Sequence, residues 1–300
     1  MFLSLEKKFV ELDNGEKLAY IEKGQGDKVI VLVHGNFSSS YHYEPLYKRI
    51  PDDYRVIVPD LRGYGDSSYN NRVETLHDFA DDVVSLLKKL NVEKFYLVGW
   101  SLGGCVSMSI ASRYSDLVEK LVLVSSGSAK GYPVFKKDAT GQNLVGQIYT
   151  TREELATDPV TVAPMILCQQ TKNYKLMEQI WDLTIYTSAS KKKPSEEDNK
   201  ILIGETLKQR NLVDADWALM NFNISDSTSF YAVGDNTAKN IVCPVLALNG
   251  VTDITTPEIM TSENRAAIKQ IEQKYYEDCG HSVINDQPDL LVEDILNFIK

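Results

Sequence analysis

The sequence predicts an α/β fold built on a mostly parallel, doubly wound sheet with helices on both faces. The main observation is a set of short, almost wholly apolar runs rich in β-branched residues, which suit strands buried on both faces. These runs are Lys28–Val33, Arg55–Val58, Phe95–Val98 and Lys120–Val124. Helical patterns separate them, as parallel crossovers require. This alternation of apolar runs and helical patterns stops after Gly127 and resumes near Cys243, so we also expect a long insertion.

The first elements fit this arrangement. Two segments, Phe9–Leu12 and Lys17–Glu22, flank an Asp-Asn-Gly turn sequence and predict an antiparallel hairpin at the sheet edge. Further along, apolar residues recur at three- and four-residue steps over Leu76–Leu90, which predicts an amphipathic helix. Thr75 is the candidate N-cap of this helix, and Asp78 is the acidic partner of a capping box. Another helix should follow the third apolar run.

The last part of the chain restores the sheet pattern. Cys243–Leu248 and Lys274–Glu277 are predicted strands, and Pro288–Ile299 is a predicted helix. The intervening segment of about 110 residues has helical patches at Tyr174–Tyr186 and Asn199–Leu207, and a connection of that length without its own structure would be unusual. The predicted division is a sheet core of residues 1–127 and 240–300 and a helical cap of residues 128–239.

Composition argues against several classes of function. The net charge of −10 and the pI near 5.0 disfavour a nucleic-acid partner and an anionic membrane surface, because both need a surplus of Lys and Arg. The four scattered cysteines form no zinc pattern and suit a reducing compartment. We see neither a secretory signal pattern nor an apolar stretch of roughly 18 residues. We therefore expect a cytoplasmic protein without a metal ion.

The strongest functional signal is a G-x-S-x-G motif at residues 99–103, between a predicted strand and a predicted helix. This context places Ser101 on a tight, strained turn in which side chains at Gly99 and Gly103 would collide with the nearby backbone. The turn lifts the hydroxyl above the carboxyl edge of the sheet, beside the N-terminus of the next helix. We interpret Ser101 as a nucleophile, with an ordinary serine in a glycine-rich turn as the alternative.

A serine nucleophile needs a base, and the chain has four histidines. His281 follows the last predicted strand and precedes the last helix, so it lies at the same sheet edge as Ser101. His34 follows a central strand and is interpreted as a structural histidine that braces a loop. His42 lies in a loop, either solvated or lining a pocket, and His77 lies on a helix as a surface residue. We therefore predict His281 as the base.

The base needs a carboxylate to orient it. Asp253 follows the strand that begins near Cys243 and gives the chain order Ser, Asp, His that this arrangement requires. Asp278 is a rival because it is close to His281 in the sequence. Two weaker candidates lie in the insertion, Asp214 and Asp216.

The negative charge that develops during acyl transfer needs two hydrogen-bond donors. The backbone N–H of Leu102 is one candidate, since it follows the nucleophile directly. The second should come from the loop after a central strand, at Asn36 or Phe37, and a side-chain contribution from Asn36 stays open. Trp100, beside the nucleophile, is expected to pack under the turn and to border the substrate site.

Taken together, these residues resemble the α/β-hydrolase superfamily, in its cap-bearing branch of small esterases, lactonases, haloperoxidase-like enzymes and C–C bond hydrolases. The resemblance implies an eight-stranded sheet, no cofactor, and the roles given above for Ser101, Asp253 and His281. A serine at position 101 departs from the aspartate of epoxide hydrolases and dehalogenases, so neither activity is expected. The matching motifs are Val33-His34-Gly35-Asn36, Pro59–Ser67, Gly99–Gly104, Asn249-Gly250 with Asp253, and Gly280-His281.

The expected function is hydrolysis of a small carboxylic ester or lactone through an acyl-enzyme on Ser101. The same residues would serve C–C bond hydrolysis, acyl transfer or perhydrolysis, and a slow, hydrolase-like ligand-binding protein is a further alternative. Aromatic and Met residues in the insertion favour a small apolar or aromatic acyl substrate. Whether the chain forms a homodimer stays open.

Overall fold

The computed structural model describes residues 5–187 and 192–300 of the 300-residue chain. The strands in these ranges are β1 (Lys8–Glu11), β2 (Lys17–Lys23), β3 (Lys28–Val33), β4 (Tyr54–Pro59), β5 (Phe95–Trp100), β6 (Val118–Val124), β7 (Phe135–Lys137), β8 (Asn143–Ile148), β9 (Val245–Gly250) and β10 (Ile271–Tyr276). One eight-stranded sheet has the order β1-β2-β4-β3-β5-β6-β9-β10. Its β1–β2 and β2–β4 pairs are antiparallel and the others are parallel, which confirms the predicted sheet.

Helices alternate with these strands. They are α1 (Glu44–Tyr47), α2 (Leu76–Lys89), α3 (Leu102–Arg113), α4 (Arg152–Leu155), α5 (Ala163–Thr171), α6 (Tyr174–Thr184), α7 (Glu196–Thr206), α8 (Leu212–Met220), α9 (Glu258–Ala267), α10 (Val283–Asp286) and α11 (Pro288–Ile299). The first turn of α2 has the predicted capping box, in which the Asp78 carboxylate accepts the Thr75 N–H at 2.9 Å. Throughout the described chain, each helix is too short or too polar to cross a membrane.

The sheet is buried on both faces, as the apolar runs predict. Along β3, Val31 belongs to the hydrophobic cluster that contains Phe79 of α2. Its neighbour Ile30 points to the opposite face and belongs to the cluster that contains Leu46 of α1 and Leu291 of α11. Because alternate residues of a strand face opposite sides, only a run without polar interruptions can fill two cores at once.

The segment between β6 and β9 contributes no described strand to the large sheet. It contains α4 to α8 and also an antiparallel hairpin of β7 and β8, which the sequence does not predict. Turn chemistry explains the hairpin: Asp138 accepts the N–H groups of Thr140 and Gln142, and Gly141 has a φ of 84°. Both hairpin strands are short, and their polar and apolar residues do not alternate, so they lack the pattern that reveals a strand.

The insertion packs on the sheet core. Met177 and Trp181 of α6 are fully or almost fully buried in the same cluster as Ile30 of β3. The predicted boundaries after residue 127 and before residue 240 stay a prediction.

Candidate active site

Ser101 forms the sharp turn between β5 and α3. β5 ends at Trp100 and α3 begins at Leu102, so a single residue makes the connection. Its backbone has φ 57° and ψ −123°, a region that residues with side chains rarely occupy. The Ser101 N–H donates to Val124 O at 3.1 Å, and the Ser101 carbonyl accepts the Gly104 N–H at 2.9 Å. The serine remains partly exposed at the carboxyl ends of the parallel strands.

Close backbone approaches around this turn require glycine at both predicted positions. A Cβ atom on Gly99 would lie 2.3 Å from Gly103 O, and a Cβ atom on Gly103 would lie 2.1 Å from Val33 O. The steric reason given for the motif is therefore confirmed. Because α3 begins directly after Ser101, the Leu102 N–H is in the first turn, where N–H groups have no acceptor within the helix.

His281 lies in the loop between β10 and α10, beside the Ser101 turn. The Trp100 indole N–H donates to the His281 carbonyl at 3.0 Å, and the two ring centroids are 5.6 Å apart. Since Trp100 directly precedes Ser101, these contacts bring the histidine next to the strand-to-helix turn. The indole is buried as predicted, and its one polar group is engaged by His281.

Asp253 binds the imidazole of His281. Asp253 Oδ2 lies 2.9 Å from His281 Nδ1, and both side chains are only 2% exposed. The other contacts of the carboxylate are the N–H groups of Thr255 and Thr256, at 2.8 and 2.9 Å, and the Thr256 hydroxyl at 2.6 Å. Burial alone would raise the pKa of Asp253, but the His281 ring and these hydrogen bonds outweigh burial and hold the pKa at about 2. The carboxylate is therefore ionised at neutral pH, and His281 Nε2 points away from it.

Backbone contacts join the loops that carry these two residues. Thr252 N–H and its hydroxyl both donate to Cys279 O, at 2.9 and 3.0 Å. A Cβ atom on Gly250 would lie 2.2 Å from the same carbonyl, so the close approach depends on glycine.

The rival carboxylates lie elsewhere. Asp278 is exposed and occupies a left-handed turn position with a φ of 50°, and the structure pairs His281 with Asp253 instead. Asp214 binds the Tyr69 hydroxyl at 2.6 Å and the Arg72 guanidinium at 2.7 Å.

The loop after β3 is braced by His34, as expected. The Leu61 N–H donates to His34 Nε2 at 3.0 Å, so the proton is on Nδ1, which donates to Gly35 O at 2.8 Å. Burial lowers the pKa of His34 to about 4, which keeps the ring neutral. A Cβ atom on Gly35 would lie 2.9 Å from Ser101 Cβ, so this loop passes directly beside the serine.

The side chain of Asn36 is held by several groups. Its Nδ2 donates to Asp216 Oδ1 at 2.7 Å, and its Oδ1 accepts from the Tyr64 hydroxyl and from Gln209 Nε2, both at 2.8 Å. The Phe37 N–H donates to Gln209 Oε1 at 3.2 Å. Of the two residues predicted for the second oxyanion donor, Phe37 therefore has its N–H engaged in this structure.

From the sequence, Asp216 is only a weak candidate partner for His281. The structure places it on α8, bound to the loop beside the nucleophile. Protein atoms enclose its carboxyl although the residue keeps some accessible surface, and this desolvation raises its pKa to about 7 against the opposing hydrogen bond from Asn36. The phenol of Tyr132 lies close enough to Asp253 and Asp216 that their charges add to burial in raising its pKa to about 12.

Two histidines differ from expectation. His42 is buried rather than solvated: its Nδ1 accepts the Ser39 N–H at 3.0 Å, and its ring lies 5.1 Å from that of Trp181. His77 is partly buried and lies 2.7 Å from the Ser109 hydroxyl. Packing by the insertion and by α3, which a local pattern does not reveal, accounts for both.

One carboxylate cluster has the composition of a metal site. Asp60, Asp66 and Glu205 bring carboxylate oxygens within 4.8 Å of one another. The Lys7 ammonium lies between them, at 2.8, 2.9 and 2.7 Å. This lysine supplies positive charge to the carboxylates and joins the loop after β4 to α7.

Sequence reasoning missed the groups that support the site from a distance. Thr256 could have been found, because an Asp followed by hydroxyl residues two and three positions later is typical of a side-chain-capped turn. Gln209 and Thr206 carry no local signal, since their contacts with Phe37 span 172 and 169 residues.

A strand-to-helix serine turn beside an Asp–His pair, at the carboxyl edge of a mostly parallel sheet, defines the α/β-hydrolase class of protein. The family model described as alpha/beta hydrolase fold matches residues 28–288. The chain belongs to the α/β-hydrolase family.

Its relatives have different activities. The chain is 41% identical over 122 residues to the cis-3-alkyl-4-alkyloxetan-2-one decarboxylase of Shewanella oneidensis, a match that covers 38% of this chain and 37% of that protein. It is 26% identical over 303 residues to the soluble epoxide hydrolase of Corynebacterium sp. strain C12, covering 95% and 94%. An esterase structure from Exiguobacterium antarcticum has a TM-score of 0.74 at 17% identity, covering 98% and 99%. The matches to the first curated relatives cover about a third of the length of those relatives.

Proposed function

We propose that the protein hydrolyses small carboxylic esters or lactones through an acyl-enzyme on Ser101. The observation that carries this proposal is the buried Asp253–His281 pair, at 2.9 Å, held by Trp100 beside the strained serine. In this arrangement the carboxylate fixes the imidazole with Nδ1 protonated, so Nε2 is free to accept a proton. A serine hydroxyl is too weak a nucleophile without such a base.

Acylation begins when Ser101 Oγ attacks the carbonyl carbon of the ester. The hydroxyl proton passes to His281 Nε2, and the carbonyl oxygen becomes an oxyanion. As the tetrahedral intermediate collapses, the C–O bond to the leaving group breaks and His281 returns its proton to the departing alkoxide. The alcohol leaves, or stays attached through the acyl chain in the case of a lactone.

Deacylation uses the same groups. A water molecule gives a proton to His281 and attacks the acyl carbon, and the Ser101–acyl bond then breaks as His281 protonates Ser101 Oγ. The carboxylic acid is released and the free serine is restored. No group besides water is consumed.

The proposed oxyanion donors are the N–H groups of Leu102 and Asn36. Leu102 begins α3, so its N–H and the positive end of the helix dipole face the serine turn. We favour Asn36 over Phe37 because the Phe37 N–H donates to Gln209. The amide side chain of Asn36 is bound by three partners and is assigned no role on the oxyanion.

The choice of an ester or lactone follows from the nucleophile. A serine yields an ester intermediate that water and a base readily hydrolyse. The name of the Shewanella relative describes an oxetan-2-one, which is a four-membered lactone, and the Exiguobacterium neighbour is an esterase. For the epoxide that names the Corynebacterium relative, attack by a serine would leave an ether, which the Asp253–His281 pair has no means to hydrolyse.

The substrate is proposed to be small and apolar or aromatic near its acyl group. Leu219 of α8 lies within 3.9 Å of a Cβ atom built on Gly127, whose N–H in turn donates to Ser101 O at 3.2 Å. Tyr132 donates its N–H to Leu219 O, and its phenol lies close enough to Asp253 and Asp216 to feel their charges. These two residues support a substrate pocket that is bordered by the insertion. In this role the insertion acts as a cap.

The test is turnover of p-nitrophenyl acetate by the wild type and by Ser101→Ala. We expect activity in the wild type and a loss of at least about 1000-fold in the variant, because removing the nucleophile removes the acyl-enzyme route. Ser112→Ala is the matched control: this hydroxyl is buried on the same helix and donates within it, to Ser109 O at 3.1 Å. Full activity in Ser101→Ala would contradict the proposal.

Substrate scope is tested with three panels: p-nitrophenyl esters of increasing chain length, small lactones, and styrene oxide. We expect hydrolysis in the first two panels and none of the epoxide. Epoxide opening that survives in Ser101→Ala would show that a different nucleophile is at work.

A further inference from the structure

Side chains of the insertion form hydrogen bonds with the loop that passes beside Ser101. Thr206, the last residue of α7, donates its hydroxyl to Phe37 O at 2.6 Å, a closer contact than the 3.2 Å to Leu202 O in its own helix. Gln209 accepts the Phe37 N–H through Oε1 at 3.2 Å. Both backbone polar groups of Phe37, its N–H and its C=O, are therefore bound by side chains of the insertion.

The same glutamine also binds the neighbouring residue. Gln209 Nε2 donates to Asn36 Oδ1 at 2.8 Å and to Asn211 Oδ1 at 3.0 Å. Asn211 in turn donates to Arg62 O at 2.7 Å, which anchors this link to the loop after β4. Thr206, Gln209 and Asn211 are all buried, so water does not compete for these hydrogen bonds.

Phe37, the residue that these side chains bind, has a strained backbone. Phe37 has a φ of 57°, a left-handed conformation that costs about 1 kcal/mol or more for a residue with a bulky side chain. Without partners for its N–H and C=O, the loop would relax to an extended or right-handed conformation. Such a relaxation would rotate the peptide that joins Asn36 to Phe37. Because Gln209 also holds the Asn36 side chain, the change would shift Asn36 as a whole and, with it, the N–H that the proposed mechanism uses.

We propose that Thr206 and Gln209 are positioning residues that hold the second oxyanion donor in place, so that the insertion completes the catalytic machinery as well as bordering the substrate. This inference rests on the proposed function. Its consequence is that an insertion displaced from the loop would leave a serine with a base but only one oxyanion donor. Ester hydrolysis would then require the insertion to be packed against this loop, as it is in the structure.

The test compares Gln209→Met and Thr206→Val with Thr206→Ser, which keeps the hydroxyl. For p-nitrophenyl acetate we expect kcat to fall about 10- to 100-fold in Gln209→Met and Thr206→Val, with KM changed by less than about threefold, because the lost interaction acts on the transition state. Thr206→Ser should recover most of the activity. A methyl trifluoromethyl ketone, whose serine adduct carries the same oxyanion, should bind more weakly by a factor similar to the loss in kcat/KM.

The control is Tyr186→Phe, which removes a buried hydrogen bond inside the insertion, to Asn199 Oδ1 at 3.2 Å, without touching the loop. It should lower the melting temperature and leave kcat unchanged. If Gln209→Met does not fold, the Thr206 pair decides, because Thr206→Val exchanges only a hydroxyl for a methyl group.

The inference is overturned if the folded variants keep wild-type kcat and ketone affinity, or if only KM rises. Failure of the proposed function looks different: the wild type itself would lack Ser101-dependent turnover and would form no ketone adduct. The two failures are thus separated by the behaviour of the wild type.

Discussion

Ser101 holds a backbone conformation with a φ of 57° because its surroundings leave no alternative. β5 and α3 fix the chain on both sides, and the serine carbonyl accepts N–H groups from both Gly104 and Gly127. Strain of this kind persists only where neighbouring structure enforces it. The G-x-S-x-G pattern identifies this residue in the sequence, because the turn requires glycine on both sides of the serine for steric reasons.

The carboxylate of Asp253 should be essential to the base. Asp253→Asn keeps the shape of the side chain but removes the charge that favours the protonated imidazole, so we expect kcat to fall about 10³- to 10⁴-fold. The measurement is steady-state turnover of p-nitrophenyl acetate. Asp278→Asn, an exposed carboxylate near His281 in the sequence, is the control and should keep activity within about twofold. A larger loss in Asp278→Asn would show that the acid is misassigned.

Asp216 should make stability depend on pH in the opposite sense to an ordinary carboxylate. Its pKa is about 7 in the folded protein and 3.8 for an unperturbed Asp, so between these values the folded state keeps a proton that the unfolded chain releases. Stability from this group therefore declines as pH rises from about 4 to 7.

Asp216→Asn should remove that penalty. Its advantage over the wild type in the free energy of unfolding should be near zero at pH 4 and grow to at most about 4 kcal/mol at pH 8. Urea denaturation at several pH values measures the difference. A difference that stays constant with pH would contradict the raised pKa.

Among elements, β3, β5 and α3 fix the site because their backbones approach more closely than side chains allow. Gly103→Ala would place a Cβ atom 2.1 Å from Val33 O, so we expect a loss of about 3 kcal/mol or more in the free energy of unfolding. Gly204→Ala is the control, because nothing lies within 4 Å of its Cβ position in α7, and it should gain about 0.5–1 kcal/mol. Chemical denaturation compares the two, and equal stability would refute the packing argument.

The sequence predicts well the elements that are set by local pattern. The bounds of β3 and α11 match the predicted segments, and α2 begins at its predicted cap, because burial on two faces or on one stripe leaves a clear periodicity. The sequence does not predict the hairpin of β7 and β8, because its strands are short and their polar and apolar residues do not alternate. Its only sequence signal was the turn at Asp138–Gly141.

The site divides in the same way. Ser101, His281 and Asp253 each follow a predicted strand. Because the ends of parallel strands meet at one edge of the sheet, the sequence predicts that these residues lie close together. Gln209, Thr206 and Asp216 belong to an insertion whose path over the sheet no periodicity describes. Their contacts with residues 36 and 37 depend on how two parts of the chain pack, which only the structure reveals.

At the scale of the whole molecule, Lys7 joins three parts of the chain. Its ammonium binds Asp60 and Asp66 in the loop after β4 and Glu205 of α7 in the insertion, and its side chain is 5% exposed. Burial alone would lower the pKa of Lys7, but the surrounding carboxylates raise it well above the ordinary value, so the lysine stays charged.

Lys7→Met removes the one cation in the described chain that contacts all three carboxylates, while Lys208 stays paired with Asp66 and Glu205. We expect the free energy of unfolding to fall by about 3–5 kcal/mol, as the loss of one partner from a buried ion pair does. Lys8→Met is the control: this lysine pairs with Glu22 but is 55% exposed, so the loss should be below about 1 kcal/mol. Urea denaturation at neutral pH measures both. Similar losses in the two variants would show that the cluster does not join the insertion to the sheet.

Covalent labelling tests the central claim most directly. The wild type, incubated with a fluorophosphonate and digested, should yield one modified peptide by mass spectrometry, with the adduct on Ser101. In His281→Ala the rate of labelling should fall at least about 100-fold, because the serine loses its base. An active protein that is labelled at another residue, or labelled at an unchanged rate without His281, would contradict the account.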